Sequence, residues 1–144
     1  MQKIDKKILR IIDANLNRLK EGLRVCEDTC RFVLNSSSVS SNFKQVRQNI
    51  TQSLKTLSIK VVDLLESRDI LKDVGRKSSR LELSRKNYQE VFLANMQRVK
   101  ESVRVLEEFS KIYNQKAGQY FKEIRYRIYQ LEKEVMAKFR NFKF

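Results

Sequence analysis

The chain has no histidine, no proline, three glycines and two cysteines. Without histidine, and with so few thiols, no ordinary zinc site can be assembled. Proline breaks helix interiors and glycine weakens them, so their scarcity favours long uninterrupted helices. Alternating Ile/Val-rich stretches that would argue for strands are also missing, and the expected class is all-α. Neither the G-x-x-x-x-G-K-[ST] nor the G-x-G-x-x-G phosphate loop occurs, so a nucleotide would have to bind in an unconventional way. No apolar run reaches the length of a membrane span. Lys3, Asp5, Lys6, Lys7 and Arg10 make the N-terminus too charged for a signal peptide, so a soluble cytoplasmic protein with no membrane partner is expected. Cys26 and Cys30 are spaced one helical turn apart on an apolar stripe and read as small core residues.

What the chain does have is one polar helix written twice, eighty residues apart. Ala14-Asn15-Leu16-Asn17-Arg18-Leu19-Lys20-Glu21-Gly22-Leu23-Arg24-Val25-Cys26-Glu27 is echoed by Ala94-Asn95-Met96-Gln97-Arg98-Val99-Lys100-Glu101-Ser102-Val103-Arg104-Val105-Leu106-Glu107, with eight of fourteen positions identical. Six of the eight are Asn, Arg, Lys, Glu, Arg and Glu, whereas the core-spaced residues drifted. A solvated face should accept almost any polar residue, so these side chains meet a geometrical demand.

The apolar spacing predicts four long helices in a chain of about one domain. The first carries Leu9, Ile12, Leu16, Leu19, Leu23, Cys26, Cys30 and Val33 and ends near Asn35, followed by a polar loop over Ser36 to Asn42. The second carries Phe43, Val46, Ile50, Leu54, Leu57, Val61 and Leu64. The third carries Phe92, Met96, Val99, Val103, Leu106 and Tyr113, and the fourth Phe121, Ile124, Ile128, Leu131 and Val135. The duplication continues into the partner helices, since Phe43-Lys44-Gln45-Val46-Arg47 matches Phe121-Lys122-Glu123-Ile124-Arg125. The repeating unit is therefore a helical hairpin. The expected architecture is a four-helix bundle of two duplicated hairpins, about 5–66 and 88–141, joined by a long linker over about 67–87. A connection of that length is functional or disordered. Ile70, Leu71 and Val74 argue that its first part docks on the bundle, while Arg76 to Arg80 reads as mobile.

Net charge is +14, from 31 Lys and Arg against 17 Asp and Glu, which attracts anions without choosing among nucleic acid, lipid and phosphorylated metabolites. On a helical projection the duplicated polar residues point in several directions, so they cannot converge on one small ligand from a single helix. One reading is ion pairs along and between helices. The other is phosphate binding, which the retention of Arg without exchange for Lys favours, because only Arg offers a rigid planar fork. Gly22, mid-helix and matched by small Ser102, points to close packing or to a ligand. Tyr126 and Tyr129, beside Arg125 and Arg127, suit either packing or stacking on a flat heterocycle. The tail from Lys138 to Phe144 receives no function.

Several spaced motifs then come together in one order: Asp13-Ala14-Asn15-Leu16-Asn17-Arg18, Glu21-Gly22-Leu23-Arg24-Val25, Glu27-Asp28, Arg31-Phe32, Arg68-Asp69, Asp73-Val74-Gly75, Ala94-Asn95, Arg98 and Arg104-Val105-Leu106-Glu107-Glu108. From about Ile8 to Leu131 the chain resembles the helical domain fused ahead of thiamine-phosphate synthase in some bacteria, the hydroxymethylpyrimidine phosphate kinase family. The resemblance implies ATP-dependent phosphorylation of hydroxymethylpyrimidine monophosphate to the diphosphate, acting only on the monophosphate, by a stand-alone form or an excised domain. Its acceptor is already a phosphate, substantially ionised at neutral pH, so no strong general base is needed.

No residue roles come with the resemblance, so the candidates are read from the repeat and linker. Arg68, Arg98 and Arg104 are assigned to the transferring phosphoryl group, and Asn15, Arg18, Arg24 and Asn95 to the pyrimidine substrate. Lys100 and Glu101 are assigned to ATP, and Asp69, Asp73 and Glu107 to Mg²⁺, with Asn95, Arg98 and Arg104 facing the linker. Two other readings stay open: a basic nucleic-acid-binding module, disfavoured by the interleaved acids, and a non-catalytic domain that assembles with or regulates a synthase. The duplication also leaves room for a homo-oligomer with its site between subunits.

Overall fold

The computed structural model describes residues 4–79 and 81–142, and of Leu81 only the backbone. Lys3, Arg80 and the end of the tail, which entered the sequence analysis, lie outside the described residues. All regular structure among the described residues is helical. The elements are α1 (Lys6–Asp28), α2 (Ser37–Leu57), α3 (Val61–Ser67), α4 (Tyr88–Tyr113) and α5 (Gln115–Asn141).

The four long helices contact one another in the ring α1–α2–α5–α4, with the most extensive contact between the two copies of the repeated helix, α1 and α4. Their apolar stripes meet in the core. Ile12, Leu19, Leu23 and Cys26 of α1 and Phe92, Met96, Val99 and Leu106 of α4 are fully buried. Each such side chain contributes about 1.5–3 kcal/mol. The two copies run antiparallel: Gly22 faces Val99, and the Cys26 thiol lies 3.8 Å from the Phe92 carbonyl oxygen. At Gly22 a Cβ would come within 2.8 Å of Val99 Cγ2 and 3.2 Å of the Asn95 carbonyl oxygen. Close helix packing, not a ligand, explains this glycine.

Hairpin turns differ between the copies. Asn114 alone joins α4 to α5, its Oδ1 accepting from the Lys116 and Ala117 amides at 2.9 and 3.3 Å. After α1 the chain makes a π-helical turn, Thr29–Val33, which puts both Thr29 and Cys30 inside, and then reverses at Asn35 with φ 51°. The expected polar loop over Ser36 to Asn42 is thus mostly the first turns of α2, which starts at Ser37 and buries Val39.

The second helix is also shorter than its apolar spacing predicts. It ends at Leu57, because Ser58 adopts the left-handed conformation (φ 55°), donating to the Lys55 carbonyl while Ile59 donates to that of Leu54. This is a Schellman stop built on Ser rather than Gly. Val61 consequently lies at the surface, and α3 turns back to pack on α1 through buried Leu64. Its end delivers the linker to the outer face of α1.

Candidate functional site

Two of the duplicated carboxylates are structural clamps. Glu107, 2% exposed, accepts from Arg125 Nε of α5 at 2.7 Å and from Arg104 Nη1 at 2.9 Å, with Lys111 Nζ at 3.7 Å. Glu27 does the same in the first hairpin, accepting from Arg47 Nη2 at 3.1 Å and Arg24 Nη1 at 3.0 Å. Each clamp joins the two helices of its hairpin through a buried carboxylate, and in the second the Arg125 fork grips Glu107 with both Nε and Nη2. Hydrogen bonds to Glu107 and to the Tyr129 hydroxyl push the Arg125 guanidinium further toward its charged form. This geometry accounts for the survival of these arginines and glutamates through duplication.

A cleft of about 600 Å³ opens on the other side of α1, under the linker. Asp5 caps α1, its Oδ1 accepting from the Lys7 amide at 2.7 Å, and so sets the helix phase. Lys7, Arg10, Ala14 and Arg18 then share one face turned away from the core. Across from them the linker is pinned by polar contacts. Arg68 donates twice to buried Asp13, Nε to Oδ2 and Nη2 to Oδ1, both at 2.8 Å. Arg10 Nη2 donates to the Asp69 carbonyl at 3.1 Å. The hydrogen bonds and charge of Asp13 raise the Arg68 pKa above its ordinary value.

Beyond this anchor the loop organises itself: Asp69 Oδ1 accepts from the Lys72 amide at 3.1 Å and Asp73 Oδ1 from the Gly75 amide at 2.9 Å. Ile11, Ala14, Ile70 and Val74 supply apolar wall, and Asn15 and Asn17 polar edge. The linker does not bury its hydrophobic residues as expected. Ile70, Leu71 and Val74 are all exposed, Leu71 by 84%, and Arg68 does the docking instead.

The cleft gathers cations that the clamps do not consume. Arg24, Arg47, Arg68, Arg98, Arg104 and Arg125 all sit in ion pairs. Lys7, Arg10, Arg18 and Lys72, which line the cleft, make no ion pair among the described residues. Arg18 reaches only Asn15 Oδ1, at 3.4 Å.

The structure thus divides the sequence-selected residues. Asn15, Arg18, Arg68, Asp69 and Asp73 come together in the cleft. Arg24, Arg104 and Glu107 belong to the clamps. Arg98 faces the linker through Glu82 at 3.6 Å, whereas Arg104 faces α5 and does not. Asn95 Nδ2 donates to the Val91 carbonyl at 2.8 Å. Lys100 pairs with Glu132 at 3.1 Å, and Glu101 accepts from Gln97 at 3.1 Å. Asp13, Lys7, Arg10 and Lys72 were not selected. Asp13 is the informative omission: its counterpart in the second copy is Leu93, so a search for shared residues passes over it.

Among the described residues no cluster of three or more His, Cys, Asp or Glu side chains is built to hold a metal. Asp69 and Asp73 are the carboxylates of the cleft besides the paired Asp13. That donor set does not suit a resident cation, but it suits a Mg²⁺ that shares its coordination with phosphate oxygens, since such ions take one or two carboxylates from the protein. Glu107, enclosed by its arginines, is not one of them.

Fold and cleft together define a duplicated helical-hairpin domain in which the linker roofs a cation-lined cleft on the first copy. The chain belongs to the ThiD2 family, whose model matches residues 10–134. It is 38% identical over 141 residues to a thiamine-phosphate synthase of Nostoc sp., covering 94% of this chain and 37% of that protein. It is also 38% identical over 131 residues to one of Synechocystis sp., covering 90% and 36%, and 33% identical over 132 residues to one of Rhodopirellula baltica, covering 91% and 35%. The chain thus spans little more than a third of the length of these curated relatives. No solved structure matches it. No helix among the described residues is long and apolar enough to cross a membrane.

Proposed function

We propose that the protein acts in thiamine biosynthesis, in the cytoplasm, as an ATP-dependent kinase that converts hydroxymethylpyrimidine monophosphate to its diphosphate. The observation that carries this reading is the group of four cations, Lys7, Arg10, Arg18 and Lys72, gathered around one cleft without an ion-pair partner among the described residues. A phosphorylated, flat, weakly polar substrate fits such a lining: phosphate against the cations, ring against Ile11, Ala14 and Ile70, ring nitrogens toward Asn15 and Asn17. Family membership and the thiamine-phosphate synthase relatives supply the pathway.

Catalysis is then positioning and charge neutralisation. An oxygen of the acceptor phosphate, already ionised, forms a bond to the terminal phosphorus of ATP as the bond to ADP breaks. Arg10 and Arg18 hold the acceptor phosphate, Lys72 meets the charge spreading over the moving group, and Arg68 positions the linker. Asp69 and Asp73 are the residues that would hold Mg²⁺, which supplies further neutralisation of phosphate charge when bound.

A coupled assay of ADP release tests this, with Mg²⁺-ATP and either the monophosphate or the unphosphorylated alcohol. Turnover with the monophosphate alone is expected. A second reading, a non-catalytic domain docked on a synthase, draws on the exposed Leu71 and Val74 and is the one left standing if neither substrate turns over.

A further inference from the structure

The duplication supplies its own control for a second site. Both hairpins keep the Glu–Arg clamp, so the clamp alone cannot explain what differs around it. Beside Arg47 the first hairpin has Gln48 and Thr51, and the groove there includes Glu21. At the matching positions the second hairpin has Tyr126 and Tyr129, and its groove of about 560 Å³ between α4 and α5 is lined by Glu107 together with Arg104, Lys111, Lys122 and Arg125.

That carboxylate is shared among Arg104, Arg125 and Lys111. Glu108 offsets part of the excess, at 3.0 Å from Lys111 and 3.3 Å from Arg104. Lys122, across the groove, makes no ion pair among the described residues. Gly118, where the first hairpin has Ser40, lets Lys111 lie across the start of α5: a Cβ there would come within 2.7 Å of Lys111 Cγ.

The aromatics are not core residues. Tyr126 is 57% and Tyr129 41% exposed, packed edge to face at 5.7 Å between centroids, with the Arg125 guanidinium 5.2 Å from the Tyr126 ring. A half-exposed ring held in place by a neighbour and a partly buried arginine, beside surplus positive charge, is the pairing that binds a flat heterocycle carrying phosphates.

The geometry points to a nucleotide site in the α4/α5 groove, separate from the cleft under the linker, with the base on Tyr126 and the phosphates on Lys122, Lys111 and Arg104. The two sites share no lining residue. This assignment does not depend on the kinase reading.

Calorimetric titration tests it, with ADP and inorganic pyrophosphate as probes. The cleft is first disabled with Arg10→Ala/Arg18→Ala, a background whose fold is checked by circular dichroism. ADP still binds that variant, and adding Tyr126→Ala weakens ADP about ten-fold, the size of one lost base–aromatic stack, while leaving pyrophosphate unchanged. Adding Lys122→Ala instead weakens both. Three results overturn the proposal: no ADP binding once the cleft is disabled, ADP affinity indifferent to Tyr126→Ala, or both probes indifferent to Lys122→Ala.

Discussion

Asp13 of α1 and Arg68 at the start of the linker meet through two parallel hydrogen bonds of 2.8 Å, 55 residues apart in sequence. The pair has no counterpart in the second copy, and it turns one of two similar helices into the floor of a cleft. Asp13 is buried and Arg68 partly exposed, so the carboxylate is the costlier half to leave unmatched.

Replacing Asp13→Asn keeps the volume and removes the charge that holds Arg68. The linker should then loosen while the bundle persists. Limited trypsin digestion is expected to cut the 68–77 segment several-fold faster, with helical circular dichroism unchanged and kinase turnover reduced at least ten-fold. Equal digestion rates would show that the pair does not hold the linker.

Arg18 and Arg104 are both retained arginines of the repeat, but Arg18 lines the cleft under the linker and Arg104 belongs to the Glu107 clamp. Arg104→Lys keeps a cation near Glu107 and Glu108, so turnover should stay within about two-fold of the parent, with a small drop in the urea midpoint. Arg18→Lys loses the fork in the cleft and should lower kcat/KM about ten-fold, roughly the 1.4 kcal/mol of one charge-assisted bond, at unchanged stability. The reverse ranking would move the site to the second copy.

Gly22 tests the helix crossing. Ala gains about 1 kcal/mol in helix propensity, yet its Cβ would meet Val99 Cγ2 at 2.8 Å. The stiff β-branched neighbour cannot rotate away, and a net loss of about 1–3 kcal/mol is expected for Gly22→Ala. Val99→Ala combined with it should recover part of that loss in a double-mutant cycle. Simple additivity of the two losses would argue against direct contact.

The buried thiols predict the alkaline limit of stability. Burial pushes Cys30 from its ordinary 9.0 up to about 12, and Cys26 rises still further, also through burial. Below pH 9 both thiols are protonated in the folded and unfolded chain, and their contribution is fully present. Above pH 9 only the unfolded chain releases the protons, so stability falls by about 1.4 kcal/mol per pH unit for each thiol until the folded pKa is reached. Urea denaturation between pH 9 and 10, below the raised pKa of Tyr120, should show this slope, and Cys30→Ala should remove about half of it. An identical slope in the variant would assign the alkaline loss to other groups.

The polar repeat was legible as a geometrical demand, but its meaning was not. Glu107 and Asp13 look alike in sequence as acids on a helix near arginines. One is sealed by Arg104 and Arg125 and the other holds the linker, and the difference lies in which helix passes beside each. Ser58 shows the same limit locally. Left-handed residues are read from Gly, and a serine stop gives no such signal, so α3 and the path of the linker were hidden in an apolar spacing that continued past it.

Composition and periodicity by themselves determined the all-α class, most residues of the core and the duplication into hairpins, because helix period and apolar spacing are local properties of the chain. Tertiary structure decided which copy carries the cleft, which charges are consumed in clamps and which are left unpaired. Ion pairing depends on distances between residues far apart in sequence, and two similar polar patterns acquire different partners once one has the linker folded over it and the other has not.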